Sequence, residues 1–255
     1  MNYPIDSQTV LAADLDGTLA PSKSAISLEM AQTLSIWLEE HRFAIISGGK
    51  YEQFLKQVVS QLSPDTHLEH LFLFPTNGAA CYTFKNGAWT SLYEDMLRED
   101  EKHAISDAIE KAVTMSGIVI AKPDMVGEQI ECRGGQVTFS AFGQLAPLEK
   151  KLPWDPDQEK RKKIVLHLSP LLPDFAISIG GTTSIDITRK GIDKAYAIER
   201  MKNLLQVDTD HIIFFGDALF EGGNDWPATR TGVSTVLVSG PEDTIQKVRQ
   251  CLVLH

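Results

Sequence analysis

The sequence predicts a doubly wound, mostly parallel α/β sheet of Rossmann-like kind, interrupted by an inserted α+β domain built on an antiparallel sheet. Three observations carry this. The first third alternates short apolar runs with amphipathic stretches, the middle third turns to strands separated by Gly-containing hairpins, and the last third returns to the first pattern. Strands alternating with helices mark a parallel sheet covered on both faces, whereas strands joined by tight turns pair antiparallel.

The elements follow in order. Residues 10–13 form a short apolar run ending on Asp14, as suits a buried parallel strand. Ser27 is placed to cap a helix whose apolar positions are Leu28, Ala31, Leu34, Ile36 and Leu38. A second strand at 43–46 ends at Ser47-Gly48-Gly49, a helix is expected over 51–62, and a third strand over 71–74. Runs at 81–84 and 89–93 then flank Lys85-Asn86-Gly87, and Asn-Gly is a strong hairpin signal. A helix over 98–115 precedes strands at 127–132 and 136–142, which flank Arg133-Gly134-Gly135. The charged residues 155–163 predict an exposed helix, with strands near 175–179 and 184–187. A helix over 194–205 leads to a strand at 212–215 that ends at Gly216-Asp217. A strand at 236–238 and a helix over 241–252, opened by Pro241, complete the pattern. The expected division is a discontinuous core of residues 1–81 and 188–255 and an inserted cap of residues 82–187.

Composition narrows the partners. A net charge of -10 over 255 residues argues against a nucleic-acid or anionic-membrane binder, whose footprint is usually basic. Cys81, Cys132 and Cys251 are far apart and odd in number, which reads as reduced thiols in a cytosolic protein. No apolar run approaches the ~20 residues of a membrane span. Met1–Gln8 lacks a basic stretch leading into an apolar one, so no signal peptide is expected and the expected location is cytoplasmic.

Ligands of open parallel sheets sit outside the carboxyl ends of the strands. The polar residues expected there are Asp14, Asp16 and Thr18 after the first strand and Ser47 after the second. Lys194 opens the helix that follows the cap, and Asp217, Asn224 and Asp225 follow the strand at 212–215. A carboxylate can attack phosphorus when a cation neutralises the dianion it approaches. Mg2+ prefers hard oxygen ligands, including one or two carboxylates, and Asp14 and Asp217 are placed to supply them. Asp225 would anchor water in the ion's coordination shell. Ser47 and the backbone near Gly48 would grip phosphoryl oxygens, Lys194 would neutralise developing charge, and Asp16 would act as acid and base. Each piece alone is compatible with an ordinary turn or a solvated loop; their convergence on neighbouring strand ends is what marks a site.

These motifs resemble the haloacid dehalogenase superfamily, in the subclass (IIB) whose α/β cap is inserted after the third strand. Asp14-Leu15-Asp16-Gly17-Thr18 matches its first motif, Ser47 its second, Lys194 its third, and Gly216-Asp217 with Gly223-Asn224-Asp225 its fourth. The resemblance implies an aspartyl-phosphate intermediate at Asp14, with Mg2+ held by Asp14, the backbone carbonyl of Asp16, and Asp217. Within the subclass the chain is similar to the eukaryotic-type phosphomannomutases. The resemblance rests on the doubled glycine at Gly222-Gly223, on Gly180-Gly181-Thr182-Thr183-Ser184-Ile185-Asp186, on Gly191-Ile192-Asp193-Lys194, and on Ile130-Glu131-Cys132-Arg133. By that likeness Arg133, Ser184 and Asp186 contact a sugar phosphate, and a homodimer through the caps is expected.

The chain departs from those mutases at three positions. Lys23, Gln144 and Lys151 stand where the mutases carry arginine. Lysine keeps the charge but loses bidentate phosphate geometry, and glutamine loses both. The expected function is therefore a Mg2+-dependent phosphatase acting on a sugar phosphate or similar small phosphometabolite. The alternative is a phosphomannomutase or hexose phosphomutase, and a remoter one is a catalytically silent sugar-phosphate-binding protein.

Overall fold

The computed structural model describes residues 5–120 and 125–253, so the first half of the Met1–Gln8 stretch lies outside the described residues. It divides into two compact units, residues 1–94 with 192–255 and residues 95–191.

The first unit is built on a seven-stranded sheet. Its parallel strands are β1 (Val10–Ala13), β2 (Arg42–Ile46), β3 (Leu71–Phe74), β10 (Ile212–Gly216) and β11 (Ser234–Leu237), in the spatial order β11-β10-β1-β2-β3. A hairpin of β4 (Ala80–Lys85) and β5 (Ala88–Glu94) continues the sheet antiparallel beyond β3. Successive strand residues face opposite ways, and the core splits accordingly. Leu11, Ala13, Phe43, Ile45, Leu71, Leu73, Ile213 and Phe215 pack with α1 (Leu28–Trp37) and α7 (Pro241–Val253) on one face. Val10, Ala12, Ala44, Ile46, Phe72, Phe74, Ile212 and Phe214 pack with α6 (Lys194–Leu205) on the other. This double burial is why the strands read as unbroken apolar runs.

The second unit carries a four-stranded antiparallel sheet in the order β6-β7-β9-β8. The strands are β6 (Ile130–Cys132), β7 (Gln136–Ser140), β8 (Phe175–Gly180) and β9 (Ser184–Arg189). The long helices α3 (Glu99–Ser116) and α5 (Glu159–Leu168) bury Ile105, Ile109, Ile164 and Leu168 against Val137, Ile185 and Ile187. A single turn, α4 (Leu148–Lys151), lies between them in sequence.

The fold class is the one the sequence predicts, and four local expectations are corrected. The hairpin at 80–94 belongs to the first unit's sheet, so the inserted unit begins at Asp95 rather than at residue 82 and ends at Gly191 rather than at 187. Helix α2 (Tyr51–Gln57) ends five residues early, where Val58 leads into a short 3-10 turn, Val59–Gln61. On α1, Leu28 and Ile36 are exposed, while Thr33 is buried because its hydroxyl donates to the Glu29 carbonyl at 2.8 Å. The charged run expected on an exposed helix over 155–163 is exposed at Asp157, Glu159, Lys160, Lys162 and Lys163, but α5 begins only at Glu159, and Asp155 and Arg161 are buried.

Arg161 is a buried charge held by several hydrogen bonds in the second unit. Its Nε donates to Asp155 Oδ2 at 2.8 Å, and both side chains are about 2 % exposed or less. Nη1 donates to the carbonyls of Gly180 and Gly181 at 3.1 and 2.8 Å, and Nη2 to the Asp155 carbonyl at 3.1 Å. Asp155 also accepts from the backbone amides of Lys160 and Arg161, which start the helix. A buried pair whose donors are satisfied is costly to break from one side. Arg161→Met is therefore expected to destabilise the protein by about 3–5 kcal/mol, measured by urea denaturation. A loss under about 1 kcal/mol would show that the pair carries no such burden.

Candidate active site

The strand order reverses between β1 and β10, whose outer neighbours lead away in opposite directions, and that switch point is where open α/β sheets bind ligands. Asp14 and Asp217 stand at the carboxyl ends of these two strands. The Asp14 amide donates to the Phe215 carbonyl at 3.0 Å, so the ladder continues to the residue that carries the carboxylate. The chain then turns sharply: the amides of Leu19 and Ala20 donate to the Leu15 carbonyl at 2.9 and 3.0 Å, and Gly17 donates to Ala20 at 2.7 Å.

Gly17 is required twice over. Its φ is +96°, and a Cβ there would lie 2.5 Å from Asp217 Oδ2. Thr18 completes the junction, its hydroxyl 3.1 Å from Asp217 Oδ1 and accepting the Asp217 amide at 3.1 Å. At Gly216 a Cβ would lie 2.6 Å from Asp225 Oδ2, an oxygen that accepts the Ala218 amide at 3.1 Å.

Lys194 enters from the start of α6, whose N-cap Asp193 accepts the Tyr196 amide at 3.0 Å. Its ammonium donates to Asp14 Oδ1 at 2.5 Å and to the Ile46 carbonyl, and lies 3.5 Å from Asp225 Oδ1. Ile46 is the last residue of β2, so one ammonium touches three strand-end segments. Ser47 follows, buried, donating its amide to Phe74 at 3.2 Å and accepting the Asn77 amide at 2.9 Å. Its hydroxyl accepts the Gly49 amide at 3.3 Å, so Gly48 sits inside a tight polar turn.

One oxygen each of Asp14, Asp217 and Asp225 lies within 4.8 Å of the others. Burial raises the Asp14 carboxyl to about 7; Lys194 pulls it down, while Asp225 and Asp217 push it up. Burial and Asp225 also raise Asp217. Burial opposes the charge on Lys194, but Asp14 and Asp225 outweigh it and raise its pKa. Three carboxylates against one ammonium leave an excess of negative charge among hard oxygen donors. That donor set fits a divalent cation.

Asp16 does not join this cluster through its carboxylate. Its Oδ1 accepts the Lys23 amide at 2.7 Å and the Gln57 side-chain amide at 3.3 Å. The exposed Lys23 has a left-handed φ of +56°. Asn224 is exposed beside Asp225, 3.5 Å away through Nδ2.

In the second unit, hydrogen bonds gather Arg133, Gln144 and Lys151. Arg133 donates to Glu131 Oε2 at 2.7 Å and to Gln144 Oε1 at 2.9 Å, and the buried Lys151 ammonium donates to the Gln144 carbonyl at 3.1 Å. Ser184 and Asp186 share one face of β9, and Asp186 Oδ1 accepts the Thr138 hydroxyl at 2.7 Å. Sequence reasoning missed Gln57 and the Ile46 carbonyl. Gln57 lies at a helix end and Ile46 contributes only its backbone carbonyl, so no polar side chain at a strand end marks either.

Residues 30–254 match the model of the family described as eukaryotic phosphomannomutase. The phosphomannomutase of Encephalitozoon cuniculi is 28% identical over 97% of this chain and 94% of its own length. Phosphomannomutase 1 of Homo sapiens is 27% identical over 93% and 89%. Among solved structures, the C-terminally truncated IMP-nucleotidase of Plasmodium falciparum superposes with a TM-score of 0.72 at 17% identity, covering 97% of this chain and 72% of that one. A protein from a study of the trigonal-bipyramidal intermediate in a phosphoryl-transfer superfamily does so with a TM-score of 0.63 at 16% identity, over 97% and 99%. The structural neighbours speak to the fold and the family match to descent: the chain belongs to the eukaryotic phosphomannomutase family, a family of enzymes within the haloacid dehalogenase superfamily.

Proposed function

We propose that the protein is a Mg2+-dependent phosphotransferase of the phosphomannomutase kind, moving a phosphoryl group between positions of a hexose through an aspartyl phosphate on Asp14. The observation that carries this reading is a buried carboxylate 2.5 Å from the Lys194 ammonium, within an acidic cluster at the switch point of the sheet. The family match favours the mutase over the phosphatase expected from the sequence.

Held by Asp14, the Asp16 carbonyl and Asp217, with Asp225 behind them, Mg2+ would offset the charge of the phosphate dianion as it approaches Asp14. Lys194 keeps Asp14 in place and favours its ionised form. An Asp14 oxygen bonds to phosphorus while the sugar oxygen leaves with a proton from Asp16. A hydroxyl at the second position then attacks phosphorus, Asp16 takes its proton, and the Asp14 carboxylate departs. Ser47 and the Gly48 backbone grip the phosphoryl oxygens, and Asn224 and Lys23 add polar contacts. Arg133, Gln144, Lys151, Ser184 and Asp186 serve recognition of the sugar phosphate.

A second reading, hydrolysis with water as acceptor, is favoured by one observation. Glu131 neutralises Arg133, and the two further arginine positions of the mutases hold Gln144 and Lys151. A distal phosphate would meet less cationic, less bidentate contact there.

Incubation with hexose phosphates, with and without a hexose bisphosphate, is expected to yield the isomer faster than free phosphate. Free phosphate without isomer would establish the hydrolase instead. Asp14→Asn is expected to cut turnover by about 10⁴-fold or more while leaving the fold intact by circular dichroism. An active variant would sink the mechanism.

The metal has its own test. With its pKa raised from 3.8 to about 7, Asp14 binds a proton more tightly in the folded protein than in the unfolded chain. Its contribution to stability is thus present below pH about 3.8 and lost as pH rises through about 7. A divalent cation replaces that proton. The Mg2+-induced gain in Tm should therefore be larger at pH 8 than at pH 5.5, and chelation should abolish turnover. An equal or absent gain at both pH values would remove the cluster as the metal site.

A further inference from the structure

Gln57 closes α2 and is 5 % exposed, yet no step of the reaction above uses it. Its Nε2 donates to the Ser24 carbonyl at 2.9 Å and to Asp16 Oδ1 at 3.3 Å. Its own carbonyl accepts the Ile26 amide at 2.9 Å. The same Asp16 oxygen accepts the Lys23 amide at 2.7 Å. Gln57 Oε1, by contrast, has no hydrogen-bond partner among the described residues. Leaving a buried acceptor unmet is unfavourable. The amide's orientation is therefore explained by its nitrogen, whose two contacts are both acceptors.

We propose that Gln57 is a positioning residue for Asp16, and that it ties the acid/base carboxylate to the 23–26 segment as one rigid unit. The inference rests on the reading of Asp16 as acid and base. Two N–H donors, from Gln57 and Lys23, converge on Oδ1 and fix the carboxyl's rotation. Oδ1 is thereby committed as an acceptor, and Oδ2 is the oxygen that carries the proton to the leaving group. The left-handed backbone at Lys23 is held in the same arrangement: the Ser24 amide donates to Pro21 at 2.9 Å, and the carbonyl of Ser24 is held by Gln57.

A residue that aims a general acid matters only where the leaving group needs a proton. The test is thus kcat/KM of Gln57→Met for p-nitrophenyl phosphate, whose leaving group departs unprotonated, against a hexose phosphate, whose alkoxide does not. The expected loss is about 10–100-fold for the hexose phosphate and under about 3-fold for the aryl ester. Equal losses on both substrates, or none on either, would overturn the proposal. Gln57→Glu keeps the volume and places an acceptor against Asp16 Oδ1 and the Ser24 carbonyl, so it should show the same selectivity. Hydrogen exchange at the Lys23 amide supplies a reading that needs no substrate, and it should quicken at least tenfold in folded Gln57→Met. If Asp16→Asn itself fails to discriminate between the two leaving groups, the acid assignment has failed. Exchange at Lys23 then decides the positioning alone, and an unchanged rate overturns it.

Discussion

The ammonium of Lys194 is buried between Asp14 Oδ1, Asp225 Oδ1 and the Ile46 carbonyl, so residues 180 positions apart in the chain are fixed to one another by a single charge. An ammonium in that position cannot be left without carboxylates, and the carboxylates cannot be left without it, because either alone would be an uncompensated charge in a low-dielectric interior. The interaction holds together the ends of β1 and β2, the segment after β10, and the start of α6. It is also incomplete. Asp217 stands in the same cluster, and burial first, then the neighbouring carboxylates, raise the pKa values of Asp14 and Asp217. The fold has assembled a site in which three carboxylates face one ammonium.

The backbone accommodates this density of carboxylates by omitting side chains. Gly17 and Gly216 each lie where a Cβ would fall within 2.5–2.6 Å of a carboxylate oxygen, of Asp217 and of Asp225 respectively. Thr18 supplies the one hydroxyl that serves Asp217 both as a neighbour to its carboxylate and as an acceptor for its amide. Its own carbonyl is tied by Thr244 from α7 at 2.8 Å, which secures the turn from behind. The Asp-x-Asp-Gly-Thr run therefore encodes a steric solution as much as a chemical one.

Much of this was legible in the sequence, for a physical reason. Parallel strands buried on both faces read as apolar runs, and the polar residue that ends such a run must lie at the sheet's edge; this located Asp14, Ser47 and Asp217 without any coordinates. Asn86-Gly87 announced a hairpin but could not say which sheet it would join, since turn chemistry is local and pairing partners are not. Thr33 lay in the buried stripe of α1 because its hydroxyl could turn back onto the helix, a compensation hydropathy does not register. Arg161 read as solvated because its neighbours are charged. Its burial depends on Asp155 six residues earlier and on carbonyls at Gly180 and Gly181.

Two amides, the buried Gln57 and the half-buried Gln144, lie beside the proposed acid and within the second unit's cationic cluster respectively, and each has one buried polar atom without a partner among the described residues. In each, the partnered end meets an ionisable side chain: Gln57 Nε2 donates to Asp16, and Gln144 Oε1 accepts from Arg133. Buried polar atoms in folded proteins are otherwise almost always satisfied, and unmet ones concentrate where function overrides packing. At Gln144 the unmet atom is a donor, Nε2, in a cluster that already holds a guanidinium and an ammonium. An additional donor beside two cations is the polarity an anionic or oxygen-rich ligand group requires. An amide donor there offers a hydrogen bond without the pull that a full charge exerts on an anion.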